Sequence, residues 1–207
     1  MSISPQKMSV SPLALPGAFI IKPFAAEDER GIFYKTFTED VLAKNGAASK
    51  FAEEFFSTNK RGALRGLHYQ RGAASQAKLI TCMRGRIFDV LVDLRKSSPT
   101  YGKHITLELS DKNMHTLFVP HGFAHGFLTL EENSLVVYRA DRPYSPADER
   151  GIVYNDPKLA IRWPSAETEK PFTFLRPTPN ATPSSERIII SPKDAAWPKF
   201  DEAEKFE

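Results

Sequence analysis

Between Gly62 and Ala140 the chain is a succession of short runs rich in β-branched and aromatic residues, each closed by a brief turn. The pattern predicts strands near 63–70, 77–83, 86–94, 103–109, 115–119, 125–129 and 134–140. Strands this closely spaced leave no room for crossover helices, so the chain must fold as a sandwich or barrel rather than from βαβ units. Sixteen prolines and eleven glycines agree with many turns and few long helices. Upstream, Phe19 to Lys22 and Ile32 to Phe37 read as strands around a turn at Asp28 to Gly31. Thr38 to Lys50 is the best helix candidate, with Thr38 as N-cap before Glu39 and Asp40.

The run Ile87 to Arg95 says what the interior holds. One face carries Phe88, Val90, Val92 and Leu94; the other carries Ile87, Asp89, Leu91, Asp93 and Arg95. An apolar face studded with carboxylates fits a double-sheet barrel whose interior is partly polar, which makes that interior a site as well as a core.

Four segments organise the chain. Residues 1–18 read as an N-terminal arm and 19–164 as the core. Residues 165–187 are a Pro/Thr/Ser-rich loop or insertion, and 188–207 a C-terminal segment ending in a solvated tail from Asp201. A net charge of +3 is too small to argue for nucleic acid, yet allows local basic pockets for an anion such as phosphate. The single cysteine, Cys82, lies in an apolar run; it excludes an internal disulfide and reads as a buried strand residue. The N-terminus lacks the pattern of a secretory signal, and no apolar stretch is long enough to span a bilayer, so a cytoplasmic location is expected.

Five histidines are present, but no His-x-His pair of the kind a cupin metal site uses; His121 and His125 share one segment with no carboxylate nearby in sequence. No metal is therefore expected, and acid–base chemistry remains. His68 lies three residues after Arg65 and one strand before Lys78. Alone it reads as a core histidine. Two adjacent cations favour the neutral, basic imidazole and suit a developing enolate. In a regular strand Arg65 and His68 point to opposite faces, so a bulge at Gly66 is expected to turn both inward. Tyr138 ends the apolar run Leu135-Val136-Val137-Tyr138 and reads either as packing or as a phenol aimed inside.

Several motifs then occur in order: Gly62-Ala63-Leu64-Arg65-Gly66-Leu67-His68-Tyr69-Gln70, Gln76-Ala77-Lys78-Leu79, Asp89-Val90-Leu91-Val92-Asp93-Leu94-Arg95 and Ser98-Pro99-Thr100-Tyr101-Gly102. Pro120-His121-Gly122-Phe123-Ala124-His125-Gly126-Phe127, Tyr144-Ser145-Pro146, Asn155-Asp156-Pro157 and Trp163-Pro164 follow. Together they closely resemble the dTDP-4-dehydrorhamnose 3,5-epimerase family from about Phe19 to Pro198. The resemblance implies a mainly β, cupin-type double-sheet jelly roll with a few short helices, a homodimer, no metal and no redox cofactor. It implies a dTDP-4-keto-6-deoxyhexose as substrate, inverted at C3 and C5 through enolates in deoxysugar biosynthesis. In these terms His68 is the base, oriented by Asp194 of Ser191-Pro192-Lys193-Asp194, and Tyr138 is the opposing acid. Arg65 and Lys78 stabilise the enolate, His125 lies at the substrate, and Glu149 lies on the nucleotide side. Asp89 is expected as a partner of Lys78, while Arg30 and Phe33 reach the nucleotide from the neighbouring subunit.

Two departures from the family pattern fall in the expected pocket. Lys35 stands where a glutamate is usual, and Phe55-Phe56-Ser57-Thr58-Asn59 replaces a Gln-x-Asn stretch, with Asn59 as its remnant. A single-centre epimerase, a 3,4-ketoisomerase of a related sugar and a non-catalytic sugar-binding cupin stay open beside the 3,5-epimerase.

Overall fold

The computed structural model describes residues 6–47, 50–164 and 188–207. The strands, in chain order, are β1 (Ser9–Pro12), β2 (Phe19–Lys22), β3 (Phe24–Asp28), β4 (Gly31–Lys35), β5 (Glu53–Asn59), β6 (Ala63–Gln70) and β7 (Lys78–Arg84). They continue as β8 (Arg86–Asp93), β9 (His104–Ser110), β10 (Thr116–Val119), β11 (Phe123–Thr129), β12 (Ser134–Ala140), β13 (Glu149–Gly151) and β14 (Ile189–Ile190). Helix α1 is Glu39–Lys44 and α2 is Pro192–Ala195.

One sheet runs β1-β2-β10-β7-β12-β5 and the other β13-β6-β11-β8-β9, with β14 parallel to the start of β6. The two sheets form a cupin-type jelly roll. Each strand's alternation decides which layer it feeds. Ile80, Cys82, Leu117 and Val136 of the first sheet meet Ile87, Leu91, Leu109 and Phe127 of the second in the central core. The opposite faces of β6 and β8 are covered in turn: Leu67, Tyr69, Val90, Val92 and Leu94 pack under Ile152, Leu159 and Phe200. The strand with a mixed face thus divides as its sequence implies, and Cys82 is a fully buried strand residue.

Three expectations need correction. Helix α1 keeps Thr38 as its cap, whose hydroxyl accepts from Val41 N, but ends at Lys44. Gly46, at φ +69°, closes it: Gly46 N bonds Ala43 O and Ala47 N bonds Leu42 O, a Schellman ending. Within the expected arm, Ser9–Pro12 pairs with β2 and extends the first sheet. The C-terminal residues do not form a solvated tail. Ala203 is buried, Phe206 packs with Tyr69, and Tyr69 donates to the carbonyl of Glu204, because the outer face of β6 and β8 is apolar and needs a cover. The expected Pro/Thr/Ser-rich loop at 165–187 lies outside the described residues.

Candidate active site

The site begins with an irregularity in β6. His125 of β11 faces His68 and Phe127 faces Arg65, so two steps on β11 span three on β6. Gly66 sits in the extra step at φ +120°, where a Cβ would meet the Cα of Gly126 at 2.5 Å and the carbonyl oxygen of His125 at 2.8 Å. Only glycine fits. The bulge lets Arg65 and His68 serve the same side. Arg65 Nε donates to Asn59 Oδ1 of the facing sheet at 2.7 Å, and His68 shares a cavity with Lys78 and Phe55 of that sheet.

Bulging also leaves the Gly66 N–H without a strand partner, and Asp194 Oδ2 accepts it at 3.3 Å. The other carboxylate oxygen lies 2.8 Å from His68 Nε2. Pairing of β14 with Ala63 and Leu64 delivers the chain to this point, and Ser191 Oγ caps α2 by accepting Asp194 N at 3.0 Å. Asp194 is 4% exposed. Burial works to raise its carboxyl pKa, but the hydrogen bond and charge of His68 and the Gly66 N–H outweigh it and hold it below the usual range. The edge of Trp197 meets His68 at 6.2 Å between ring centroids, and its indole fills the space beside Gly151, where a Cβ would come within 2.5 Å.

Tyr138 and Lys78 occupy the facing sheet. Tyr138 stacks on Phe55, its cross-strand partner, at 4.8 Å and 11°, and lies 6.4 Å from the ring of His125. Burial raises the phenol pKa well above its ordinary value against the opposing hydrogen bond with Ser57, so the hydroxyl keeps its proton. Burial depresses the Lys78 ammonium, with Glu149 and Glu53 pulling the other way. Glu149 is held by Lys193 Nζ at 2.9 and 3.0 Å and by the Tyr144 hydroxyl at 2.7 Å. Its own burial favours protonation, but these donors lower its pKa. A cavity of about 380 Å³ opens beside Lys78 and Glu149, with His68, Glu53, Phe55 and Gln70 also on its wall.

His125 Nε2 lies 2.8 Å from Asp89 Oδ2, and both side chains are buried. Asp89 is therefore the partner of His125 and not, as expected, of Lys78, whose ammonium feels the charges of Glu149 and Glu53. The physical reason is register: Asp89 on β8 is paired with Phe127 on β11, next to His125 and within the same sheet. His121 turns away to Asp141, 2.8 Å from its Nε2, so it does not join His125. Asn59, expected at the substrate, is 2% exposed and occupied: it donates to Ser57 and the Ser134 carbonyl while accepting from Arg65. Arg30 and Phe33 stand apart on the β3–β4 hairpin, with Phe33 60% exposed and Arg30 paired to Asp28.

Residues not singled out from sequence also line the cavity, among them Glu53, Phe55, Gln70 and Tyr144. A signal existed for two of them. On β5 the residues Glu53, Phe55, Ser57 and Asn59 share one face by strand alternation, and each touches the site through Gln76, Tyr138 or Arg65.

The arrangement sets His68 of one sheet, held by Asp194 of α2, across a cavity of sugar-binding size from Lys78 of the other sheet, with the protonated phenol of Tyr138 stacked on Phe55 of the cavity wall. Comparison with known proteins identifies the family. The family model described as dTDP-4-dehydrorhamnose 3,5-epimerase matches residues 12–202. A dTDP-4-dehydrorhamnose 3,5-epimerase from Methanothermobacter thermautotrophicus is 41% identical over 184 residues, spanning 89% of this chain and 90% of that relative. The crystal structure of the enzyme of that name from Elizabethkingia anophelis superposes with a TM-score of 0.81 at 36% identity, covering 95% of this chain and 98% of the other. A dTDP-6-deoxy-D-glucose-3,5-epimerase from Legionella pneumophila, solved in complex with dTDP-4-keto-L-rhamnose, gives 0.81 at 34% identity over 95% and 94% of the two chains. With the match running through nearly every strand that builds the site, the chain belongs to the dTDP-4-dehydrorhamnose 3,5-epimerase family.

Proposed function

We propose that this chain is an isomerase that inverts C3 and C5 of a dTDP-4-keto-6-deoxyhexose, the step that leads toward dTDP-rhamnose-type sugars. Both carbons flank the C4 carbonyl, so loss of a proton from either gives an enolate. The observation that carries the reading is His68 of one sheet, paired with Asp194 of α2, facing a cavity shared with Lys78 of the other sheet, where Tyr138 also lies. With the Nε2 proton held against Asp194, Nδ1 of His68 is the basic nitrogen that takes the proton from carbon. Lys78 and Arg65 supply positive charge to the enolate oxygen. Tyr138 returns a proton to the opposite face, which inverts the centre, and exchange with solvent resets both groups. Protons alone move, so the reaction calls for no redox cofactor.

The reading extends to assembly. Arg30 and Phe33 complete the nucleotide site of a second subunit in a homodimer, and His125, Glu149 and Asn59 shape the pocket from within the chain. The core at 19–164, with Ser9–Pro12 added to its first sheet, and the segment 188–207 form the working unit. No helix among the described residues is long and apolar enough to cross a membrane, in keeping with a cytoplasmic enzyme acting on a diffusible nucleotide sugar.

Incubation with dTDP-4-keto-6-deoxyglucose in deuterated water, followed by NMR at C3 and C5, tests the reading. Label with inversion at both carbons is expected. Label at one carbon identifies a single-centre epimerase, a carbonyl displaced to C3 a ketoisomerase, and no change a binding protein.

A further inference from the structure

Gln70 stands two residues beyond His68 on β6 and lines the same cavity. Tyr69 between them turns outward to Phe206, so pleating sends His68 and Gln70 to one face, about 7 Å apart along the strand. The side chain is 4% exposed. Its Oε1 accepts the backbone N–H of Ser145. That contact fixes the amide's orientation, because the opposite flip would set the NH₂ group against another donor. The amide nitrogen is consequently directed away from Ser145, and Nε2 is buried with no partner among the described residues.

Buried side-chain donors are seldom left unsatisfied, and one that belongs to a residue on the wall of the cavity beside His68 calls for an acceptor from the ligand. Nearby groups explain why no protein atom fills that role. Glu149, paired with Gln70 across β13 and β6, is already bound to Lys193 and Tyr144, and Glu53 is turned to Gln76. We infer that Gln70 is a substrate-binding residue whose Nε2 donates a hydrogen bond to an oxygen of the bound nucleotide sugar. The inference rests on the epimerase reading for the identity of the ligand, and on the orientation of the amide for the contact itself. The oxygen belongs either to the sugar or to the diphosphate, both of which offer acceptors.

Two variants test it. Gln70→Glu keeps an oxygen for Ser145 and removes the donor; Gln70→Met removes the donor without adding charge. Binding of dTDP and of dTDP-glucose is measured by calorimetry, since the latter has no carbonyl to acidify C3 or C5 and stays unreacted whatever the enzyme catalyses. Loss of one neutral hydrogen bond predicts dissociation constants raised about 3- to 10-fold in Gln70→Met and more in Gln70→Glu, where a carboxylate faces the ligand. In turnover the change is expected in KM, with kcat within about threefold. Weaker binding of both probes assigns the contact to the diphosphate. Weaker binding of dTDP-glucose alone assigns it to the sugar. Unchanged constants for both probes in both variants overturn the inference, whereas failure of the wild-type chain to exchange deuterium overturns only the epimerase reading.

Discussion

Asp194 Oδ1 lies 2.8 Å from Nε2 of His68, 126 residues away in the chain, and its other oxygen accepts the Gly66 N–H that the bulge in β6 exposes. One carboxylate thus fixes the orientation of the imidazole and the irregular backbone that aims it. Asp194→Asn has one acceptor oxygen for two donors: with the oxygen on Gly66 its NH₂ faces the ring, and with the oxygen on the ring its NH₂ faces the Gly66 N–H, so the basic nitrogen loses its fixed tautomer. Turnover is expected to fall by about 10²- to 10⁴-fold with little change in KM. Steady-state kinetics on the NMR-assayed reaction check this, and wild-type kcat in the variant would remove Asp194 from the mechanism.

How far this was legible in sequence depends on which force decides each feature. The strands from β6 to β12 follow side-chain alternation, and their sequence-derived bounds agree closely with the structure. Gly66 between Arg65 and His68 pointed to the bulge because those two side chains had no other way to share a face. Strand β5 was not foreseen: its outward Glu54 and Phe56 mix charge with an exposed aromatic, and pairing with β12 alone makes it a strand. The docking of Phe200 and Ala203 depends on an apolar face built far upstream, which no local pattern in the tail reveals. Asp194 reached the site through family resemblance, since its contact with His68 exists only once β14 has paired.

Tyr138→Phe separates deprotonation from inversion. The ring keeps its stack on Phe55 and its place beside Phe127, so the melting temperature should stay near that of the wild type. Loss of the acid should lower epimerisation by about 10²- to 10⁴-fold. His68 should still exchange the proton it removes, so deuterium enters without inversion. Undiminished inversion would show that the second proton comes from another group.

Lys78→Met should divide stability from activity. Burial depresses the Lys78 pKa relative to the unfolded chain. The unfolded state therefore holds that proton more readily at neutral pH, and the buried ammonium opposes folding. Methionine relieves that cost, so the melting temperature should hold or rise. Turnover should fall by about 10²- to 10³-fold as the enolate loses one of its two cations. Thermal melts paired with kinetics read both effects, and a variant as active as wild type would leave Lys78 without a catalytic part.

Asp93 should set part of the acid limit of the fold. Its carboxylate is 0% exposed; burial would raise its pKa, but donors from Arg95, Ser98 and Thr100 bring it down to about 2. A carboxyl lowered on folding stabilises above the unfolded value near 4, and that stability is lost as pH falls toward 2. Asp93→Asn should cost roughly 2 kcal/mol at pH 7 and much less at pH 2. Denaturant melts of both proteins across that interval should converge; a constant gap would mean the charge is not what matters.

The β3–β4 hairpin offers the sharpest test of assembly. Ile32 and Phe33 are 50% and 60% exposed there, and neither Arg30 nor Phe33 lines the cavity of its own chain. If the hairpin serves a second subunit, Arg30→Glu and His68→Ala should each be nearly inactive yet rescue one another. In a mixed dimer the subunit with native His68 receives native Arg30 from its neighbour, and the other site carries both defects. Random reassembly of equal amounts then restores about a quarter of wild-type activity, since half the dimers are mixed and each holds one native site. A hairpin that served its own chain would give no rescue, and an Arg30→Glu protein active by itself would place the hairpin outside the site.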